Sequence, residues 1–141
     1  MIWFQEVDAL SLEKIGQNTM SSHLGITIVE IGPNFIKAKM PVDERTKQPY
    51  GILHGGASVA LAETIGSYGS HLVIDNTKFQ SVGLEINANH IKRASQGFVY
   101  GTAQPIHLGK STHVWSIEIK DQNEQLICIC RLTVAIILKR D

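Results

Sequence analysis

Charge of one sign is not in excess in this sequence, because 13 lysines and arginines balance 13 aspartates and glutamates. A net charge of zero supplies no electrostatic footprint for nucleic acid or for an anionic membrane surface. We therefore expect neither of these as the main partner. A chain without net charge also does little to oppose association with its own copies.

Cysteine is scarce, since Cys128 and Cys130 are the only two. Alternate residues of a strand share one face, where the geometry is poor for a disulfide. We interpret both as buried thiols in a reducing compartment. The N-terminal run MIWFQEVDALSLEK lacks the basic start and apolar centre of a secretory signal. These features predict a cytoplasmic protein.

Metal-ligand spacing and membrane spans are also missing. The six histidines form no HxH or HExxH pair, so we expect no metal site. The run from Gly51 to Ile74 is long enough to cross a bilayer, but it contains Glu63, two histidines, several serines and many glycines. A buried helix explains this composition better than a membrane span.

The length of 141 residues fits one domain, 1–141, with one core. Its centre is a predicted helix from Leu53 to Val73, with apolar residues at three- and four-residue spacing and many small residues. A short helix over Ser11 to Asn18, capped by Ser11, is predicted before it. The polar segment from Pro41 to Pro49 is predicted to be a loop. Six strands are predicted, over Leu24 to Ile31, Phe35 to Met40, Ser81 to Lys92, Gly97 to Pro105, Thr112 to Lys120 and Leu126 to Leu138.

This element order predicts an α+β fold, a curved six-stranded antiparallel sheet wrapped around one long central helix. Glycine costs roughly 1 kcal/mol in a helix interior, so a helix with so many glycines needs a packing reason. A sheet that approaches the helix closely supplies one.

Glu63 is the only formal charge between Lys47 and Asp75. A carboxylate within an apolar helix is costly to bury unless it is paired, hydrogen-bonded or used. Desolvation would raise its pKa, as suits a base or nucleophile. Ser67 lies four residues later and shares its helix face. Ser58 lies in GGASVA, which differs from the GxSxG motif around a serine nucleophile, so we do not expect Ser58 to be one.

The predicted start of the helix offers a second chemical feature. Free backbone N–H groups and the helix dipole near Gly55 and Gly56 can stabilise an oxyanion. Eight residues at 1.5 Å each place Gly55 roughly 12 Å from Glu63 along the axis. Two antiparallel helices from two chains would bring the groups together. We therefore expect a homodimer with two sites at its interface.

The whole chain resembles a known family. The runs MPVDERTKQPYGILHGGASVALAETIGS, VGLEINANHIK and PIHLGKSTHVW are similar to those of the hotdog-fold acyl-CoA thioesterases. The likeness is to the bacterial branch with the dihydroxynaphthoyl-CoA thioesterase and the enterobactin proofreading thioesterase. The motif HGGAS-x3-AE-x3-S preceded by RTKQP is specific, whereas HGG alone would be weak.

The resemblance implies roles for individual residues. Glu63 would be the nucleophile or the general base, and the N–H of Gly55 would polarise the thioester carbonyl. Gln48 and His54 would orient or polarise that carbonyl, and Ser67 would position water. The acyl pocket would involve Tyr68 and Ile15. Coenzyme A would lie along Gly83, the segment His90, Ile91, Lys92 and Arg93, and the loop His107, Leu108, Gly109, Lys110, Ser111 and Thr112.

The resemblance also implies an acyl-CoA substrate with an aromatic or medium acyl group. It implies that no metal or redox cofactor takes part, and that homodimers pair further into tetramers. Two other functions stay open at this point. One is a hotdog dehydratase of 3-hydroxyacyl thioesters, although HGG replaces its proline-rich motif. The other is a non-enzymatic acyl-CoA-binding protein.

Overall fold

A computed structural model describes residues 1–140. Within this range there are three helices and six strands, and apart from the short helix α2 they follow the predicted order of helix, two strands, long helix and four strands. The elements are α1 Ala9–Gly16, α2 Met20–His23, β1 Thr27–Ile31, β2 Ile36–Pro41, α3 Gly55–Val73, β3 Phe79–His90, β4 Phe98–Leu108, β5 Thr112–Lys120 and β6 Leu126–Leu138.

The six strands form one sheet in the order β1-β2-β4-β5-β6-β3, and every neighbouring pair is antiparallel. Helix α3 packs against β2, β3, β4, β5 and β6. Inward side chains of these strands meet the buried face of α3, which includes Leu61, Ile65 and Leu72. The α+β architecture predicted from the sequence is therefore confirmed, and β3 is left at an edge of the sheet.

Close approach of the sheet to α3 explains the small residues of the helix. A Cβ added to Gly69 would lie 2.6 Å from the ring of Trp115, and one added to Gly66 would lie 2.6 Å from Leu132. Interiors pack at crystal-like density, so these sites have no room for a methyl group. The glycines thus set the distance between helix and sheet.

Several predicted boundaries are wrong by a few residues. Helix α1 begins before Ser11, because Asp8 is its N-cap and its carboxylate accepts the Ser11 N–H at 2.8 Å. The predicted strand from Leu24 begins instead at Thr27, after the unpredicted α2 and a turn at Gly25 with φ of 75°. Helix α3 starts two residues later than predicted because His54 caps it.

A polar network lies inside this core. The Trp115 indole N–H donates to the Ser70 hydroxyl at 2.8 Å, and Nδ1 of His113 lies 3.1 Å from the same oxygen. All three residues are buried. Burial lowers the pKa of His113, and burial followed by the charge of Lys139 lowers the pKa of His71.

We expect Gly69→Ala to destabilise the fold by about 1–3 kcal/mol, because overpacking against Trp115 outweighs the roughly 1 kcal/mol gained in helix propensity. Thr64→Ala in the same helix is the matched control, since it removes side-chain atoms rather than adding them. Urea unfolding followed by far-UV circular dichroism measures both. Equal or greater stability of Gly69→Ala would contradict the packing argument.

Stability should fall as the pH drops through the ordinary imidazole pKa of 6.5. The pKa of both His71 and His113 is lowered in the folded state, so the unfolded chain binds more protons in this window. The stabilisation is complete above pH 6.5 and is lost towards the folded pKa values, by at most about 1.4 kcal/mol per pH unit for each ring.

Urea unfolding at several pH values between 8 and 5 checks this dependence. The variant His71→Gln removes one of the two rings and should flatten the curve. The same substitution at His23, which is exposed on α2, should leave it unchanged. An unaltered slope in His71→Gln would count against the assignment of that ring.

Candidate functional site

Glu63 lies in the middle of α3 and faces the edge strand β3. A Cβ on Gly83 would be 3.0 Å from its carboxylate oxygen, so the absence of a side chain there leaves room for Glu63. Ser67 follows one helical turn later and is half-buried. Glu63 itself is exposed, so the expectation of a desolvated carboxylate is not met within one chain. Any burial of this group must come from outside the chain.

The first turn of α3 contains one backbone N–H group that makes no hydrogen bond within residues 1–140. The Gly56 N–H donates to Nδ1 of His54 at 2.7 Å, and the N–H groups of Ala57 and Ser58 donate to the His54 carbonyl. Among residues 1–140, the Gly55 N–H has no hydrogen-bond partner. An unused donor at a helix N-terminus is suited to an anionic oxygen.

Two side chains beside this turn can also donate hydrogen bonds. His54 accepts through Nδ1, so its neutral ring carries the proton on Nε2. The amide oxygen of Gln48 accepts a hydrogen bond from the N–H of Tyr50. The NH₂ group of the same amide can therefore donate to another acceptor. Both side chains can therefore donate a hydrogen bond to a carbonyl.

A cavity of about 320 Å³ joins several of the predicted residues at this end of the helix. Gln48 and Gly55 line it together with the segment from His90 to Arg93, so the structure brings together residues for which the resemblance implies roles in one site. The His90 ring packs on Gly55, where an added Cβ would lie 2.8 Å from Nε2. The cavity thus pairs an unused N–H with exposed basic side chains.

The other predicted binding elements lie at the opposite end of β3. His113 pairs with Val134 of β6, and Val134 pairs with Gly83. The loop between β4 and β5, which contains Gly109 and Lys110, is therefore on the Glu63 side of the molecule. The structure separates the predicted site residues of one chain into two groups, one at each end of β3.

Tyr68 lines a third region, a cavity of about 230 Å³ between α1, α2 and β1. An added Cβ on Gly16 would lie 2.7 Å from the Tyr68 hydroxyl, so the two residues are in close contact. Thr27 also lines this cavity, and its buried hydroxyl has no partner within residues 1–140. Ile15 does not line it and is exposed.

Among the cavity residues that the sequence did not predict, Ser58 and Thr27 each have a buried side-chain hydroxyl. Ser58 is buried and lines the cavity at Gly55, three residues away on the same helix face. The helical spacing from Gly55 could have indicated it. Thr27 had no such signal, because its position depends on how β1 packs beside α1 and Tyr68.

Neither a metal centre nor a membrane helix emerges from the part of the chain that the structure describes. No group of three or more histidine, cysteine, aspartate or glutamate residues within 1–140 is placed to hold a metal ion. No helix in the same range is long and apolar enough to cross a bilayer. Cys128 and Cys130 are buried free thiols, as predicted.

Comparison with known proteins agrees with this geometry. The family model of the thioesterase superfamily matches residues 50–128, which include α3 and the segment from His90 to Arg93. The chain is 47% identical to the 1,4-dihydroxy-2-naphthoyl-CoA hydrolase of Escherichia coli over 97% of this chain and 100% of that protein.

Solved structures show the same likeness. A glutamine-to-alanine variant of a thioesterase from Pseudomonas aeruginosa has a TM-score of 0.97 and 42% identity, with 99% of this chain and all of that chain covered. A thioesterase from Haemophilus influenzae has a TM-score of 0.95 and 45% identity, with 98% and 96% covered. The chain belongs to the thioesterase superfamily, has its hotdog fold, and is a hydrolase of thioesters.

Proposed function

We propose that this thioesterase hydrolyses acyl-CoA thioesters, with Glu63 of one chain and the Gly55 N–H of a second chain in each active site. The observation that carries the proposal is the unused N–H of Gly55 at one end of a rigid helix, with the exposed carboxylate of Glu63 two turns away. The two groups are roughly 12 Å apart along the axis, too far to act on one carbonyl.

A second chain related by a two-fold axis would bring its Gly55 close to Glu63 of the first chain. In one chain Gly55 contacts His90, and Glu63 contacts Gly83. A partner placed antiparallel, with its Gly55 facing Glu63, therefore also sets its His90 opposite Gly83. The same axis passes α3 midway between Gly55 and Glu63 and passes β3 midway between Gly83 and His90. Strand β3 has a free edge there, which an antiparallel copy of β3 can pair.

In the hydrolysis itself, Glu63 takes a proton from water, and the water oxygen attacks the thioester carbonyl carbon. Alternatively the carboxylate attacks that carbon directly, and water hydrolyses the resulting anhydride. In both routes the C–S bond breaks, coenzyme A leaves as the thiolate and the free acid is released. Ser67, one helical turn from Glu63, would hold the water, and no metal or redox cofactor is required.

Three donors stabilise the developing oxyanion in this scheme. The Gly55 N–H has no other partner, and the orientations of Gln48 and His54 leave an N–H on each available. Preorganised donors of this kind lower the barrier because they need no rearrangement as the charge develops.

Coenzyme A would span the dimer interface. Lys92 and Arg93 line the cavity at Gly55 and provide charge for its phosphates. The partner's Gly83 and the loop from His107 to Thr112 would complete the site from the other chain. The exposed outer face of the sheet, with Phe98, Ile129 and Ile137, is available for pairing dimers into a tetramer.

The acyl group is proposed to be aromatic or of medium length. A cavity of about 230 Å³ with Tyr68 in its wall fits such a group better than a very long chain. The Escherichia coli relative is named for an aromatic acyl group, which supports the same class. The two buried free thiols are consistent with a cytoplasmic location.

Glu63→Gln should lower kcat for thiol release by about 10²–10⁴-fold, because the amide can neither accept the proton nor attack the carbonyl. Thiol release from aromatic and aliphatic acyl-CoA thioesters, read with a disulfide reagent, is the measurement. Glu30→Gln on the exposed β1 is the control and should match the wild type. Near-normal turnover by Glu63→Gln would refute the role of Glu63. An enoyl product without thiol would indicate a dehydratase.

Gly55→Pro removes the proposed oxyanion donor without removing a helical hydrogen bond. Position 55 is the first residue of α3, where proline is tolerated, and His54 has φ of −67° and ψ of 131°, as the residue before a proline requires. We expect kcat to fall by about 10²–10³-fold. Gly55→Ala adds a similar Cβ contact with His90 but keeps the N–H, so it is the matched control and should retain far more activity.

Mixing the two inactive variants tests whether the site is shared. When Glu63→Gln and Gly55→Pro chains are co-refolded, each mixed dimer has one intact site, so activity should recover to about one quarter of the wild-type value. No recovery, together with verified mixed dimers in native mass spectrometry, would show that both groups act within one chain.

A further inference from the structure

Thr46 is a buried polar residue in the segment between β2 and α3, with 2% of its surface exposed. Its hydroxyl takes part in two hydrogen bonds. It donates to the Pro41 carbonyl at the end of β2 at 2.6 Å, and it accepts the Asp43 N–H at 3.2 Å. A buried hydroxyl with both functions satisfied avoids the cost of desolvation. The two bonds therefore fix Thr46 against the last residue of β2.

The backbone of Thr46 begins the turn 46–54, which leads directly into α3. The Thr46 carbonyl accepts the His54 N–H at 2.8 Å, and the Gln48 N–H donates to the Ile52 carbonyl at 2.9 Å. These two bonds close the turn in an antiparallel arrangement. Gln48 and His54, which have the two side-chain donors of the proposed mechanism, are thus held in one turn whose first residue is Thr46.

His54 is held through its main chain and through one nitrogen of its ring. Its carbonyl accepts the N–H groups of Ala57 and Ser58, and its Nδ1 accepts the Gly56 N–H. These three donors all belong to α3. The bond from the His54 N–H to the Thr46 carbonyl instead connects His54 to the turn and, through the Thr46 hydroxyl, to the sheet. Thr46 thereby sets where His54 lies relative to β2.

We propose that Thr46 is a positioning residue that fixes the two side-chain donors of the oxyanion, Gln48 and His54, against the end of β2. The inference rests on the proposed function, because the donors are assigned there. Gln48 lines the cavity at Gly55 and Thr46 does not, so Thr46 acts through its neighbours and not on the substrate. Donors aimed at an oxyanion act mainly in the transition state, so their displacement should lower kcat more than it raises KM.

Two substitutions separate the hydroxyl from the rest of the side chain. Thr46→Val keeps the shape and removes the partner of the Pro41 carbonyl and of the Asp43 N–H. We expect its kcat for thiol release to fall roughly ten- to thirtyfold, less than for a donor that is removed outright, with KM within about threefold. Thr46→Ser keeps the hydroxyl and loses a methyl group, so it should retain about half or more of the wild-type kcat.

Thr19→Val is the matched control for a loss of stability. The Thr19 hydroxyl also donates to a carbonyl at 2.6 Å, that of Gly16, in the turn between α1 and α2. This variant should lose stability in urea unfolding and keep the wild-type kcat. Exchange of the His54 N–H, followed by NMR, should become faster in Thr46→Val and stay unchanged in Thr19→Val. All assays are made where circular dichroism shows each variant to be folded.

Thr46→Ala is the second variant if Thr46→Val folds poorly. Alanine leaves a space in which a water can bond to the Pro41 carbonyl, so the buried acceptor is not left without a partner. The link between the turn and β2 is still lost as a direct bond. The kcat of Thr46→Ala should fall by about fivefold or more, again with little change in KM.

The outcomes distinguish this inference from the proposed function. Wild-type kcat in folded Thr46→Val or Thr46→Ala would overturn the positioning role alone. A rise in KM at constant kcat would also overturn it, as would an equal fall of kcat in Thr46→Ser or in Thr19→Val. Absence of thiol release by the wild type from every acyl-CoA would overturn the proposed function and this inference together.

Discussion

The close packing of α3 against the sheet is the constraint on which the rest of the molecule depends. Gly66 and Gly69 let the strands carrying Leu132 and Trp115 approach the helix backbone. One side of the helix is thereby packed against the sheet, and Glu63 and Ser67 lie on the remaining part of its surface. The polar groups of the candidate site therefore lie on a helix whose opposite side packs closely against the sheet.

Rigidity has a direct consequence for the chemistry. A helix fixed along its length cannot bring Gly55 and Glu63 to one atom, so under the proposed mechanism each chain would supply half of each site. The unused Gly55 N–H and the exposed Glu63 are both incomplete in isolation. In the proposed dimer, a second chain related by two-fold symmetry would complete both halves. Near-zero net charge places little electrostatic obstacle in its way.

Local sequence signals predicted much of this arrangement. Helical periodicity identified α3, alternation identified the strands, and the lone charge at position 63 indicated a candidate catalytic carboxylate, whose role stays a prediction. Boundaries were less certain, because Asp8 competes with Ser11 as a cap and Gly25 delays the start of β1. The residues around the thioester were named through a resemblance rather than through periodicity.

The sequence by itself determined the fold class, the position of the central helix, the candidate carboxylate and the family resemblance, because these depend on local spacing and composition. Tertiary structure alone decided that Glu63 is exposed within one chain, that one N–H of the first helical turn is unused, and that His90 packs on Gly55. It also decided that His113 meets Ser70. These contacts join residues far apart in the chain, and only the curvature and register of the sheet determine which of them meet.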